Sequence, residues 1–270
     1  MTRENRIRVM GILNVTPDSF SDGGQFATFD AALAQAQKLI DDGADILDIG
    51  GESTRPFADP VSTEEELQRV IPVIKAVRNN CSTPISIDTS KGRVAREALN
   101  AGANIINDVW ALRKDPEMIE VALESDVPII IMHMKGTPTD MQIEPSYENV
   151  VAEIMGFLRE RLDWISGRGV DLNRLIVDPG IGFGKNLQHN LSILKHLDEF
   201  SSLGRPVLLG HSRKRFLGDI TGMTTEIERD LATAVVTGLC TFKKIDIIRV
   251  HDVAATRQAL KVAEAMQSAS

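Results

Sequence analysis

Asp88, Asn107 and Asp178 each close a short apolar run, Ile85–Ile87, Ile105–Ile106 and Leu175–Val177 in turn. Any one of them alone reads as a helix cap or a turn residue, because Asp and Asn are common at such junctions. Three converging in one apolar pocket suit a planar heterocycle. Two carboxylates and an amide accept from several N–H donors and answer one carbonyl at its edge. Ser212-Arg213-Lys214-Arg215 follows the run Val207–Leu209, and Arg249 and His251 lie at the exit of the last run. Cations at two neighbouring strand exits bind an oxyanion or a diphosphate, with arginine suited to bidentate contact. His251 by itself reads equally as a buried structural residue or a ligand contact.

These side chains meet only if their strands are parallel neighbours. Asn14, Asp48 and His133 close further apolar runs, so a polar residue ends nearly every one. Strands are expected at Ile7–Leu13, Ile46–Ile49, Ile85–Ile87, Ile105–Ile106, Ile129–Met132, Leu175–Val177, Val207–Leu209 and Ile247–Val250. Between them lie helical patterns. One runs from about Asp30 to Asp42 and stops at Gly43; the capping box Ser62-Thr-Glu-Glu65 opens another, with a kink expected at Pro72. Others are expected near Arg93–Ala101, after Asp115-Pro116, and over Tyr147–Gly167 and Val253–Met266. Gly43-Ala-Asp-Ile-Leu-Asp48 and Gly102-Ala-Asn-Ile-Ile-Asn107 are near copies, and Lys244–Arg249 keeps the same register without the glycine.

Repeated units with continuously apolar strands imply a parallel sheet covered by helices. The choice is an open doubly wound sheet or a closed (β/α)8 TIM barrel. Polar residues after every strand, rather than at one switch point, favour the barrel as a single α/β domain over residues 1–270.

Composition narrows the function. The chain has 270 residues, 43% hydrophobic and 25% charged, which supplies a large core. A net charge of −8 argues against nucleic-acid binding but leaves room for an anionic ligand held by local cations. Cys81 and Cys240 stand far apart, so no disulfide framework is expected and a reducing compartment is. The charged first residues and the lack of a long apolar run predict a soluble, cytoplasmic protein with no membrane partner. Gly180-Ile-Gly-Phe-Gly-Lys-Asn186 has neither the P-loop ending nor dinucleotide-fingerprint spacing. His133, His189, His196 and His211 form no zinc pattern.

Longer motifs carry a family likeness. Met10–Gly24, Gly50-Gly-Glu-Ser-Thr-Arg-Pro56, Ile85–Lys91, Asp178–Lys185, Ser212-Arg-Lys214 and Arg249-Val-His-Asp252 strongly resemble dihydropteroate synthase, in order over almost the whole chain. The resemblance implies a (β/α)8 barrel, usually a homodimer, in folate biosynthesis. It joins 6-hydroxymethyl-7,8-dihydropterin diphosphate to p-aminobenzoate and releases pyrophosphate. On this likeness Asp88, Asn107 and Asp178 hold the pterin edge, Lys214 hydrogen-bonds it, and Arg249 covers its face. Asn14, Ser212, Arg249 and His251 grip the diphosphate, with Asn14 also a ligand of Mg2+. Phe183 and Lys214 line the p-aminobenzoate slot near Thr54 and Arg55, and Asp18 closes over the reacting centre. Late helices such as residues 229–241 are candidates for the dimer surface.

Two positions depart from the family pattern. Phe57 stands where a glycine usually follows Thr54-Arg-Pro56, and it either alters closure of that loop or packs outward. Lys244-Ile245 replaces a Gly-Ala pair at the stability end of the barrel. Two rivals share the pterin site: a methyltransferase acting on methyltetrahydrofolate and a corrinoid protein, and a non-catalytic pterin-binding paralogue.

Overall fold

The computed structural model describes residues 6–16, 24–53, 60–137, 140–141 and 143–269, with side chains in the second segment from residue 29. Strands and helices alternate: β1 (Arg8–Asn14), α1 (Gly24–Asp41), β2 (Ile46–Gly50), α2 (Thr63–Asn80), β3 (Ile85–Asp88), α3 (Gly92–Asn100), β4 (Ile105–Asp108) and α4 (Glu117–Glu124). There follow β5 (Ile129–Met132), α5 (Val150–Ser166), β6 (Leu175–Asp178), α6 (Leu187–Lys195), β7 (Leu208–Leu209), α7 (Arg215–Thr221), α8 (Asp230–Cys240), β8 (Ile247–Val250) and α9 (Val253–Ser268).

All eight strands are parallel, in the order β6-β5-β4-β3-β2-β1-β8-β7. A single bridge, Val177 to Val207, joins β6 to β7, with the Val177 N–H donating to the Pro206 carbonyl at 2.9 Å. The sheet is thus a nearly closed (β/α)8 barrel, thinnest at that seam.

Side chains alternate along a strand, so each strand supplies one row to the helices and one to the barrel interior. Val9, Leu47, Ile49, Ile87, Ile106, Ile131, Val177, Leu209 and Ile248 belong to the outer core under the helices. Met10, Ile46, Ile105, Ile130, Ile176, Leu208 and Ile247 form a separate apolar plug, with the buried Ser86 at the matching position of β3. Two residues further along each strand the next inward layer reads Ile12, Asp48, Asp88, Asn107, Met132, Asp178, Gly210 and Arg249. The plug is a dry platform, and the polar layer above it is the floor of the barrel mouth.

The repeated hexapeptides have a shared structural task. The carbonyl of Gly43 accepts from Arg257 of α9 at 2.8 Å, and that of Gly102 accepts from Arg78 of α2 at 3.1 Å. Each repeat therefore locks a helix end to the neighbouring helix.

Most expected strands fall within a residue of their observed ends. α1 starts at Gly24 rather than Asp30, because Gly24 and Thr28 are weak helix formers that hide its first turns. Ser62 caps α2 by accepting from the Glu65 N–H at 3.2 Å, and the helix continues to Asn80 as one element through Pro72. Asp115 accepts from the Glu117 N–H at 2.9 Å and so starts α4 as expected. The turn Thr16–Gly24 lies largely outside the described residues. Among the described residues, no helix is long and apolar enough to cross a membrane.

Candidate active site

The floor is built on Asp48, which is 0% exposed. Its Oδ2 accepts from Arg249 Nε at 2.6 Å and from Asn107 Nδ2 at 3.2 Å, while its Oδ1 has no hydrogen-bond partner among the described residues. Arg249 Nη2 donates to Asp88 Oδ2 at 2.6 Å, so one guanidinium ties β8 to both β2 and β3. Asp178 Oδ1 accepts from the Gly180 N–H at 2.7 Å. A Cβ at Gly210 would stand 3.6 Å from Asp178 Oδ2 and 4.0 Å from Arg249 Cβ. The β7 position of this layer therefore leaves room beside both groups.

Burial sets the electrostatics. It pushes the Asp88 carboxyl upward, which Arg249 opposes and the neighbouring Asp48 charge reinforces. Burial also raises Asp178 to about 6, against the Gly180 N–H. Burial followed by the Arg249 charge lowers Lys214 to about 8. Burial weakens Arg249 as a cation too, but Asp48 and Asp88 outweigh that and hold it firmly charged. The mouth is thus a desolvated mixture of carboxyl and cationic groups, several titrating near neutrality, as sites of chemistry often are.

At the rim, Ser212 Oγ accepts from the His251 backbone N–H at 3.1 Å and pairs with His251 Nδ1 at 2.9 Å. Lys214 Nζ sits 4.0 Å from the centroid of the Phe183 ring, a cation–π contact. Asn14 ends β1, half-buried and paired with Gly50. The basic run does not act as a unit. Arg213 forms a two-pronged ion pair with Asp230, both bonds 2.7 Å, and the Arg215 side chain is 87% exposed. Of the run only Lys214 faces the floor, because the Arg213 backbone turns through φ 58°. Asp18, Thr54, Arg55 and Phe57 lie outside the described residues.

The Gly180–Gly184 segment wraps the exit of β5. Gly180 has φ +70°, and a Cβ there would stand 1.9 Å from the His133 carbonyl oxygen. Gly180→Ala is expected to destabilise the protein by about 2 kcal/mol or more, through positive φ and this clash. Urea unfolding checks it; an unchanged midpoint would contradict this account of the loop. The four histidines serve local structure: His133 meets Lys185, His189 caps α6 with Asn186, His196 pairs with Glu199, and His211 lies against Thr233.

Two residues near the site carried no role in the sequence reading. Asp48 was visible as a strand-end carboxylate, and its place two residues after the plug residue Ile46 is the signal that puts it on the floor. Lys185 closes the Asp178–Lys185 motif of the family likeness, but nothing local shows that its side chain is buried rather than solvated.

Comparison with known proteins agrees with this geometry. Residues 10–251 match the family described as pterin binding enzyme, and the chain therefore belongs to that family of barrels. A dihydropteroate synthase of Haemophilus influenzae is 48% identical over 262 residues, spanning 97% of this chain and 94% of its own. The Xanthomonas albilineans dihydropteroate synthase solved with 4-aminobenzoic acid superposes with a TM-score of 0.93 at 47% identity, covering 98% of this chain and 95% of that one. The same organism's enzyme in complex with 7,8-dihydropteroate gives 0.90 at 45% identity, again over 98% and 95%. Within its family this chain is an enzyme, a transferase of the dihydropteroate synthase type.

Proposed function

We propose that the chain condenses 6-hydroxymethyl-7,8-dihydropterin diphosphate with p-aminobenzoate, giving 7,8-dihydropteroate and pyrophosphate. The observation that carries this reading is the inward layer itself. Asp88, Asn107 and Asp178 present acceptors and an amide at one level, with Arg249 among them. The anion-binding candidates Ser212 and His251 sit on the rim one register above. The complexes of the Xanthomonas enzyme with 4-aminobenzoic acid and 7,8-dihydropteroate support it.

In this mechanism the pterin edge lies on Asp88, Asn107 and Asp178, and Arg249 covers the ring face. Ser212, His251, Arg249 and Asn14 receive the diphosphate. The C–O bond at the pterin methylene cleaves ahead of amine attack, because the electron-rich ring spreads the developing positive charge. Preorganised cations stabilise the departing diphosphate as its charge appears. The amine arrives over Phe183 and Lys214; the family likeness assigns Thr54 and Arg55 to the same slot and Asp18 to excluding water from the reacting centre.

Among the described residues no cluster of three or more His, Cys, Asp or Glu side chains is arranged to hold a metal. Asn14 offers a single amide oxygen at the mouth. That donor set fits Mg2+, which takes few protein ligands and completes its shell with phosphate oxygens and water. Bound there, Mg2+ neutralises charge on the leaving diphosphate.

Purified protein incubated with both substrates and Mg2+ should form equimolar dihydropteroate and pyrophosphate, and EDTA should stop it. Pterin diphosphate binding without turnover would favour the non-catalytic paralogue. Methyl transfer from methyltetrahydrofolate would favour the corrinoid-linked enzyme, which has no use for an anion rim.

We also propose a homodimer in the cytoplasm. Ile227, Leu231, Val235 and Leu239 recur every four residues on and before α8, each more than half exposed, and Phe242, Val262 and Met266 are exposed nearby. An apolar face of this extent marks an interaction surface. Light scattering should give a dimer for the native chain and a folded monomer for Leu231→Glu/Val235→Glu. A native monomer would sink this proposal.

A further inference from the structure

Lys185 is a lysine that the mechanism does not use, and it is 2% exposed. Burying an ammonium is costly unless its donors are matched. Here they are. Nζ lies 2.9 Å from the Phe183 carbonyl, 3.0 Å from His133 Nδ1 and 3.4 Å from the His133 carbonyl. Three donors meet three neutral acceptors. Burial, and then the Lys185 charge, holds the His133 imidazole well below its usual range, so the ring is neutral, and Nδ1 accepts from Lys185 in the tautomer that carries its proton on Nε2. Among the described residues no carboxylate lies within ion-pair distance of Lys185; burial lowers it to about 7, and the more distant Asp178 charge opposes that.

The bonds link the exit of β5 to the residue whose ring sits under Lys214 Nζ. Phe183 lies between Gly182 and Gly184, the backbone least able to hold a side chain in one place. Other fasteners grip its neighbours: Asn190 Oδ1 accepts from the Gly182 N–H, and the Tyr147 hydroxyl donates to the Gly184 carbonyl, both at 2.8 Å. The Phe183 carbonyl itself is held by Lys185.

We propose that Lys185 is a positioning residue, which fixes the Phe183 backbone so that its ring and Lys214 present one formed face to the amine substrate. This rests on the function proposed above. Lys185→Met keeps the side chain's length and removes the donors. It should raise KM for p-aminobenzoate about tenfold and leave KM for the pterin diphosphate within about twofold. In a Phe183→Ala background the same change should add little, because Lys185 acts through that ring. Hydrogen exchange at residues 182–184 should quicken in Lys185→Met whatever the activity.

A native KM for p-aminobenzoate in Lys185→Met would overturn the proposal, as would additive effects with Phe183→Ala. A shared loss of stability and of affinity for both substrates would make Lys185 structural only. If the native protein yields no dihydropteroate, the function reading fails by itself. Exchange then decides alone, and unchanged protection at residues 182–184 removes the positioning role.

Discussion

Arg249→Met should abolish measurable turnover and lower unfolding stability by about 3–5 kcal/mol at pH 7.5, the usual consequence of removing one partner from a buried ion pair. The stability loss arises because Asp48 and Asp88 both depend on this guanidinium, each through a 2.6 Å bond. Without it two buried carboxylates face each other unpaired. Burial already pushes the Asp88 carboxyl up and loss of Arg249 removes the charge that opposes this, so the deficit should shrink as pH falls. Urea unfolding at pH 7.5 and pH 5 measures both quantities. An equal deficit at the two values would show that Arg249 acts by packing alone. The loss of turnover follows from the proposed place of Arg249, over the pterin ring and at the diphosphate.

Asp178→Asn should weaken pterin diphosphate binding about 10- to 150-fold, the range for losing a charged hydrogen-bond acceptor. It should also stabilise the unliganded protein. The Asp178 carboxyl rises from 3.8 to about 6 in the folded state, mainly through burial. A raised carboxyl disfavours folding above the folded value, and the penalty fades as pH falls through about 6 toward 3.8. At 1.36 kcal/mol for each pH unit this amounts to roughly 3 kcal/mol at pH 7.5. Asparagine carries no such penalty and still accepts from the Gly180 N–H. The variant should therefore be more stable than the native chain above pH 6 and equal to it near pH 4. A variant less stable at pH 7.5 would contradict the claim that this carboxylate is kept at the expense of the fold.

The barrel was legible because its strands obey local rules. Ile129–Met132 is apolar throughout and Ile247–Val250 is broken only by the inward Arg249, and their bounds in sequence and structure coincide. The short helices between β6 and β8 were not. α6, α7 and the turns around residues 197–203 and 227–229 are short, and their apolar stripes last too few turns to show a period. The floor was partly legible: Asp88, Asn107, Asp178 and Arg249 stood out as polar residues at strand ends. That Asp48 belongs with them follows only from register, since it shares a layer with residues distant in sequence. Phe183 entered through family likeness alone, and Lys214 through the basic run as well. Their contact depends on the loop of residues 180–184 folding back over β5, which no local pattern encodes. The sequence reading also took Arg213 and Arg215 into one basic run, and backbone direction at Arg213 separates them.

The most direct test is a crystal structure with 6-hydroxymethyl-7,8-dihydropterin diphosphate and Mg2+. The account predicts the ring edge within hydrogen-bond distance of Asp88, Asn107 and Asp178, with the Arg249 guanidinium over its face and still bonded to Asp48. The diphosphate should lie at Ser212 and His251, with Mg2+ against Asn14. A pterin bound away from this layer, or a diphosphate on the far side of the mouth, would contradict it.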